Sequence, residues 1–152
     1  MELDNIDLKI LRLMQRNSRT SALEIGNEIC LSTSATQRRI NVMRDCGVIE
    51  KEVAILSAKA IGRDFLLIVE VVLENDTKEV VDHFIYSVEQ YCGVTQFYYV
   101  TGHSDYVIVF NAKDMQEYDK FTQDIFFSNE HVKTFNTKVV IKPIKVSHAL
   151  EF

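Results

Sequence analysis

The spacing of apolar positions changes part-way along the chain. Before Leu56 they recur at three- and four-residue intervals; from Phe65 onward, strand-like runs alternate with helical ones. Ile6, Ile10, Leu11 and Met14 make the first stripe, with Asp4 as N-cap and an end near Asn17-Ser18. Ser21 opens a second helix, and Glu24 three residues on completes a capping-box pattern. Leu23, Ile25 and Ile29 are expected to face the first helix. Cys30-Leu31-Ser32 reads as a tight turn into a third helix. There Thr36, Ile40 and Met43 share one stripe, and Gly47 suits the C-terminal cap. Val48 to Leu56 reads as a short hairpin or wing.

Ser57 to Asp64, with small residues and Gly62, is the expected linker. The pattern predicts strands over Phe65–Leu73, Val94–Thr101, Tyr106–Phe110 and Lys133–Val146. Between them lie two helices. One is capped by Asn75-Asp76-Thr77 and has Val81, Phe84, Ile85 and Val88 inward. The other starts at Asp114, with Tyr118, Phe121 and Ile125 inward. The order is βαββαβ, a ferredoxin-like arrangement. The predicted fold class is therefore α+β: a three-helix winged helix-turn-helix domain (1–56), a linker (57–64) and a ferredoxin-like domain (65–152).

One feature of the strands bears on assembly. Both helices of a βαββαβ unit cover the same sheet face, so the other should be polar. Instead Leu66, Ile68 and Val72 alternate with Phe65, Leu67, Val69, Val71 and Leu73, and Glu70 is the strand's one charge. A sheet apolar on both sides predicts a homodimer, ahead of the alternative that the N-terminal helices cover it, since their apolar stripes are already used on one another. A two-fold pair of helix-turn-helix units would also read two half-sites at once.

The third helix leaves a guanidinium- and amide-rich face outward, suited to the major groove of double-stranded DNA. Ser34, Gln37, Arg38 and Asn41 are the candidate base readers, since Arg pairs bidentately with guanine and Gln or Asn with adenine. Thr33, Arg39 and Arg44 are candidate phosphate contacts; Arg39 has a second reading, as an internal brace. A net charge of −5 looks wrong for such a protein until it is divided. Residues 1–56 balance eight basic against eight acidic side chains, and 57–152 hold nine against fourteen. Cys30 to Arg44 contains three arginines and no acid, and local potential matters more than the total.

Other chemistry is sparse. No run approaches the roughly 18 apolar residues of a membrane span, and the acidic start MELDNIDLKI lacks a secretory layout. A cytoplasmic, nucleoid-associated protein is expected. Cys30, Cys46 and Cys92 lack ligand spacing and read as reduced thiols, with a redox switch at Cys30 as the sharper option. His83, His131 and His148 are scattered, so no metal is assigned, and no phosphate-loop or nucleophile-elbow motif occurs. Gly102 to Asp105 admits two readings. It is an ordinary hairpin turn capped by Asp105, or a site whose backbone N–H groups hold a carboxylate while Asp105 holds an ammonium.

Over its whole length the chain resembles the Lrp/AsnC (leucine-responsive regulator/AsnC) transcription factors. LDNIDLKILRLMQRNSRTS looks like that family's entry segment. Its helix-turn-helix is matched through Leu31-Ser32, Arg39, Ile40, Gly47 and Ile49, and its Gly-x-x-Asp-Tyr turn at Gly102, Asp105 and Tyr106. The resemblance implies a regulator of amino-acid and nitrogen metabolism, assembled from dimers into octamers or similar rings. It implies no cofactor. An amino acid or related metabolite would bind near the turn, at Thr101, Gly102, His103, Ser104 and Asp105, which puts the sensing reading ahead of the plain hairpin. The chain departs from the family in three places. Cys30 stands where Gly is usual, at a cost of about 1–2 kcal/mol if left-handed. Thr33-Ser34-Ala35 replaces a Pro-rich helix start, and Glu50-Lys51 a Gly-Tyr wing.

Two other functions compete with a sequence-specific regulator. One is an architectural nucleoid protein with little sequence preference. The other is a small ferredoxin-like dimeric enzyme using His103 or Tyr106, which would have no need of residues 1–56.

Overall fold

A computed structural model of the chain describes residues 1–74 and 77–152. It divides into two compact units, Met1–Ile55 with Lys145–Phe152, and Leu56–Ile144.

The first unit holds three helices: α1 (Asn5–Arg16), α2 (Ala22–Ile29) and α3 (Thr33–Asp45). Asp4 caps α1 by accepting from the Ile6 and Asp7 amides, and Asp7 accepts from the Asp4 amide in return. Ser21 and Glu24 form the same reciprocal box on α2. Ile10, Ile25 and Met43 are fully buried at the centre, with Met14 and Ile40 beside them. Leu23 does not face α1. It is 55% exposed, because Ile25 and Ile29 already define the inward face and a residue two positions from Ile25 lies on the far side of the helix.

The turn between α2 and α3 is tight. Cys30 adopts φ 60°, ψ 43°, the left-handed conformation that glycine takes more cheaply. Its amide and that of Leu31 both donate to the Gly26 carbonyl. A Cβ at Gly26 would sit 2.7 Å from the Leu31 carbonyl oxygen, so this glycine lets the turn fold back on α2. Ser32 caps α3 through the Ala35 amide. Gly47, at φ 72°, ends α3, and the Val48 amide donates back to the Met43 carbonyl.

The expected wing is not formed. Residues 50–56 contain no strand, and Val53, Ile55 and Leu56 are exposed. VIEKEVAIL has no Gly, Pro, Asn or Asp to reverse it, so it lacks the turn chemistry a short hairpin needs. The last residues return to this unit, although the sequence pattern grouped them with the strands. The Gln15 amide both donates to the Leu150 carbonyl and accepts from the Leu150 amide, and the Arg12 guanidinium lies 5.3 Å from the Phe152 ring centroid.

The second unit is a four-stranded antiparallel sheet with two helices: β1 (Phe65–Leu73), α4 (Lys78–Glu89), β2 (Val94–Tyr99), β3 (Tyr106–Ala112), α5 (Met115–Thr122) and β4 (Val132–Val139). Strand order is β2-β3-β1-β4. Asp114 caps α5 as expected, and the helix runs on into a π-helical turn, Gln123–Phe127. Of the expected cap Asn75-Asp76-Thr77, Thr77 is the N-cap residue of α4, and Asn75 and Asp76 lie outside the described residues. β4 stops well short of Val146 because β1, its partner, ends at Phe65. The Val140 amide still donates to the Leu66 carbonyl, and Pro143 has no amide to extend the ladder.

Leu67, Val69 and Val71 of β1 and Ile108, Phe110 and Ala112 of β3 are wholly buried under α4 and α5. Phe84, Val88, Phe121 and Phe126 complete the core, with Phe110 and Phe121 stacked at 4.4 Å; Val81 and Ile85 are only partly buried. The opposite face carries Leu66, Ile68, Val72, Val107 and Val109, all partly buried. Glu70 sits among them, paired with Lys138 and accepting from the Asn136 amide, and these partners hold its carboxyl below the usual range. The two-sided apolar pattern expected for β1 is thus present.

Candidate nucleic-acid interface and effector turn

Burial of Thr36, Ile40 and Met43 fixes the rotation of α3 and turns a polar face outward. Thr33, Ser34, Gln37, Arg38, Asn41 and Arg44 are all exposed there. Arg38 has no hydrogen-bond or ion-pair partner among the described residues. Gln37 Nε2 donates to Asn41 Oδ1 at 2.9 Å, and Arg44 Nη1 donates to the same oxygen at 3.3 Å. Arg44 Nη2 also contacts both carboxylate oxygens of Glu52 at 3.0 Å. Sequence reasoning missed Glu52, for no periodicity links an irregular segment to a helix face.

Arg39 is not on that face. Its Nη1 donates to Asp4 Oδ2 and Asp7 Oδ1, each at 2.8 Å. Asp7 is 2% exposed. The hydrogen bonds to Asp7 and Asp4 raise the guanidinium above its ordinary value. Of the two readings left open for Arg39, this geometry is that of the internal brace tying α3 to α1.

The second candidate site is the turn from β2 to β3. Gly102 adopts φ 134°, and Thr101, Gly102 and His103 are exposed. Asp105 ties the turn to β1: its amide donates to the Val71 carbonyl, and one carboxylate oxygen accepts from the Leu73 amide at 2.9 Å. Its side chain therefore anchors the turn to β1 rather than capping the turn's own amides, as the hairpin reading expected, and this occupies one of the two oxygens. A depression of about 430 Å³ is lined by Tyr99, Val100, Thr101, Gly102, Ser104 and Asp105. Asp105 also borders a second, of about 460 Å³, with Leu73, Lys78, Val81, Ile85, Tyr99 and Tyr106. Burial pushes the Tyr106 phenol above its ordinary range, and Tyr99 and Asp105 add to the effect. His103 lines neither depression.

Lys78 is the residue that the strand-and-turn pattern did not single out. The available signal was a cation in the first turn of a helix, where the macrodipole disfavours it. Among the described residues no cluster of His, Cys, Asp or Glu could hold a metal ion, and all three cysteines are free and exposed. No described helix is long and apolar enough to cross a membrane.

Two family models match the chain. Residues 3–44 fit the AsnC-type helix-turn-helix domain and residues 66–150 the Lrp/AsnC ligand binding domain. The chain belongs to the Lrp/AsnC family. It is an AsnC-type helix-turn-helix transcriptional regulator with a ligand-binding domain.

An uncharacterised HTH-type transcriptional regulator of Sinorhizobium fredii is 41% identical over 150 residues, covering 99% of this chain and 89% of the relative. The leucine-responsive regulatory protein of Rhizobium meliloti is 28% identical, over 95% and 93%. Among solved structures, a transcriptional regulator of Neisseria meningitidis in complex with L-Met superposes with TM-score 0.92 at 27% identity, covering 99% and 97%. AsnC of E. coli has the same fold, with TM-score 0.87 at 20% identity and 98% and 99% coverage. These families and relatives are transcriptional regulators rather than enzymes, so the small-enzyme reading is set aside.

Proposed function

We propose that this regulator recognises specific duplex sequences by laying α3 in the major groove and that an amino acid modulates it at the β2–β3 turn. The observation that carries the first half is Arg38, exposed on the outward face of α3 with no partner among the described residues. A guanidinium so placed is available for guanine O6 and N7, worth roughly 1–3 kcal/mol of discrimination. Gln37, Asn41 and Ser34 extend the reading surface. Thr33 would contact phosphate, Arg44 would do so only when released from Glu52, and Arg39 supports the helix from behind.

Support for an amino-acid effector is chemical. Lys78 offers a cation for a carboxylate and Asp105 an anion for an ammonium, on a depression whose other walls are apolar or aromatic. Thr101, Gly102 and Ser104 line the adjoining depression with Asp105. The Neisseria relative was solved with L-Met. The half-buried apolar sheet face suits pairing with a second copy, and dimers would assemble further, to an octamer, in the cytoplasm, where the regulator would act on genes of amino-acid and nitrogen metabolism. Effector binding would shift the assembly by its differential affinity for the states.

The test is binding of the full chain to its own upstream DNA and to random duplex across a salt series, with and without each amino acid. A specific regulator gives a large affinity ratio between the two DNAs, and an architectural protein gives equal affinities with a salt slope alone. If no amino acid altered sedimentation, DNA affinity or melting temperature, the effector half would fail.

A further inference from the structure

The hydrogen bonds on α3 form a directed chain with an anion at one end. Glu52 holds Arg44; Arg44 and Gln37 both donate to Asn41 Oδ1. A guanidinium has no acceptor, so the Asn41 atom it meets is oxygen, and the Gln37 atom sharing that oxygen is nitrogen. The orientation of both amides therefore follows from Arg44.

The consequence concerns base reading. Asparagine pairs with adenine by accepting from N6 and donating to N7. With both lone pairs of Oδ1 taken, Asn41 presents only its N–H donors. Those suit guanine O6 and N7 or thymine O4; at adenine they reach N7 alone and leave the N6 amine without an acceptor. Gln37 keeps Oε1 and one N–H, which is the adenine-reading pair. Meanwhile both Glu52 oxygens are held on Arg44 Nη2, which draws the guanidinium's charge away from solvent-borne anions.

We propose that Glu52 is a positioning residue for DNA specificity. It keeps Arg44 off the backbone and, through Arg44, fixes Asn41 as a donor-only reader beside an adenine-reading Gln37. This rests on the proposal that α3 reads the major groove. Arg44 and Glu52 are 40% and 33% exposed, so their pair adds little to stability and its loss should be read in DNA binding, not in folding.

The experiment selects duplexes from a randomised library with the full wild-type chain. It then compares binding of the selected and random duplexes between about 50 and 200 mM salt. The variants are Glu52→Gln, Arg44→Met, their combination, and Glu50→Gln as a control that removes the same charge nearby. Glu52→Gln should steepen the salt dependence by about one unit per helix-turn-helix. Over that range this is roughly a threefold greater loss of affinity. It should also flatten the base preference at the position under Asn41, admitting adenine. Glu50→Gln should change neither, and in the Arg44→Met background Glu52→Gln should have no further effect. An unchanged slope and an unchanged base preference in Glu52→Gln, with a selective wild type, would overturn the proposal. So would an equal response to Glu50→Gln. A wild type that selects no sequence would instead refute the groove-reading proposal beneath it. Melting curves of each variant confirm that a lost preference is not a lost fold.

Discussion

Replacing Arg39 by Met separates a brace from a DNA contact. The guanidinium nitrogen sits 2.8 Å from both Asp4 and Asp7. Asp7 is the partner that matters energetically: its side chain is 3% exposed, whereas Asp4 is half open to water. Without Arg39, Oδ1 of Asp7 loses its partner, and Oδ2 keeps a 3.2 Å bond from the Asp4 amide. An unsatisfied buried acceptor costs about 1–3 kcal/mol and a charged one more, while removing one member of a fully buried ion pair costs about 3–5. Arg39 itself is 30% exposed, so water can partly replace it. The expected loss is about 2–3 kcal/mol. With two compact units, whole-chain unfolding need not be two-state, so hydrogen exchange of the α1 and α3 amides is the suitable readout. Adding Asp7→Asn to Arg39→Met removes the stranded charge and should recover about 1 kcal/mol of that loss. A change under about 0.5 kcal/mol, together with a shallower salt dependence of DNA binding, would refute the brace and return Arg39 to the phosphate contacts.

Three shorter predictions follow from the same unit. Cys30→Gly relieves a left-handed Cβ worth about 1–2 kcal/mol and adds unfolded-state entropy worth roughly 0.5–1. A net gain of about 0.5–1 kcal/mol is expected in exchange-derived stability, and a loss would show that the thiol makes contacts of its own. Gly26→Ala forces its methyl against the Leu31 carbonyl oxygen and should destabilise the unit by roughly 1–3 kcal/mol; a neutral result would mean that the turn yields. The third concerns acid. The Asp7 amide, then Arg39, hold the Asp4 carboxyl below its ordinary 3.8, and the Ser21 amide holds Glu24 below 4.5. Groups lowered in the native state stabilise it above their unfolded values, and that stabilisation fades as pH falls through the lowered ones. Protection of the first-turn amides of α1 and α2 should therefore decline below about pH 4.5, and flat protection down to about pH 2 would contradict the capping boxes.

How legible each feature was depended on how far apart in sequence its partners lie. Asp4, Ser21 and Asp114 were readable as caps because each satisfies amides within three residues of itself. The inward stripes Thr36-Ile40-Met43 and Tyr118-Phe121-Ile125 follow from period alone. The βαββαβ order survived because β1 and β3 are apolar enough to be unmistakable, whereas the end of β4 depends on where β1 runs out. Residues 48–56 show the converse failure. Two apolar runs flanking Glu50-Lys51-Glu52 read as a hairpin, but no residue between them can reverse the chain.

The polar chemistry was the least legible. The outward face of α3 was visible as a set of residue types, yet what each can do there is decided by partners on other segments. Asp4 and Asp7 take Arg39 out of the face, Glu52 restrains Arg44, and of the three arginines on α3 only Arg38 is without a partner among the described residues. The same holds at the turn, where β1 occupies half of the Asp105 carboxylate through the Leu73 amide and α4 brings Lys78 to the depression Asp105 borders. An exposed arginine on a third helix is thus weak evidence by itself. Its weight comes from showing, partner by partner, which guanidiniums the fold has already engaged.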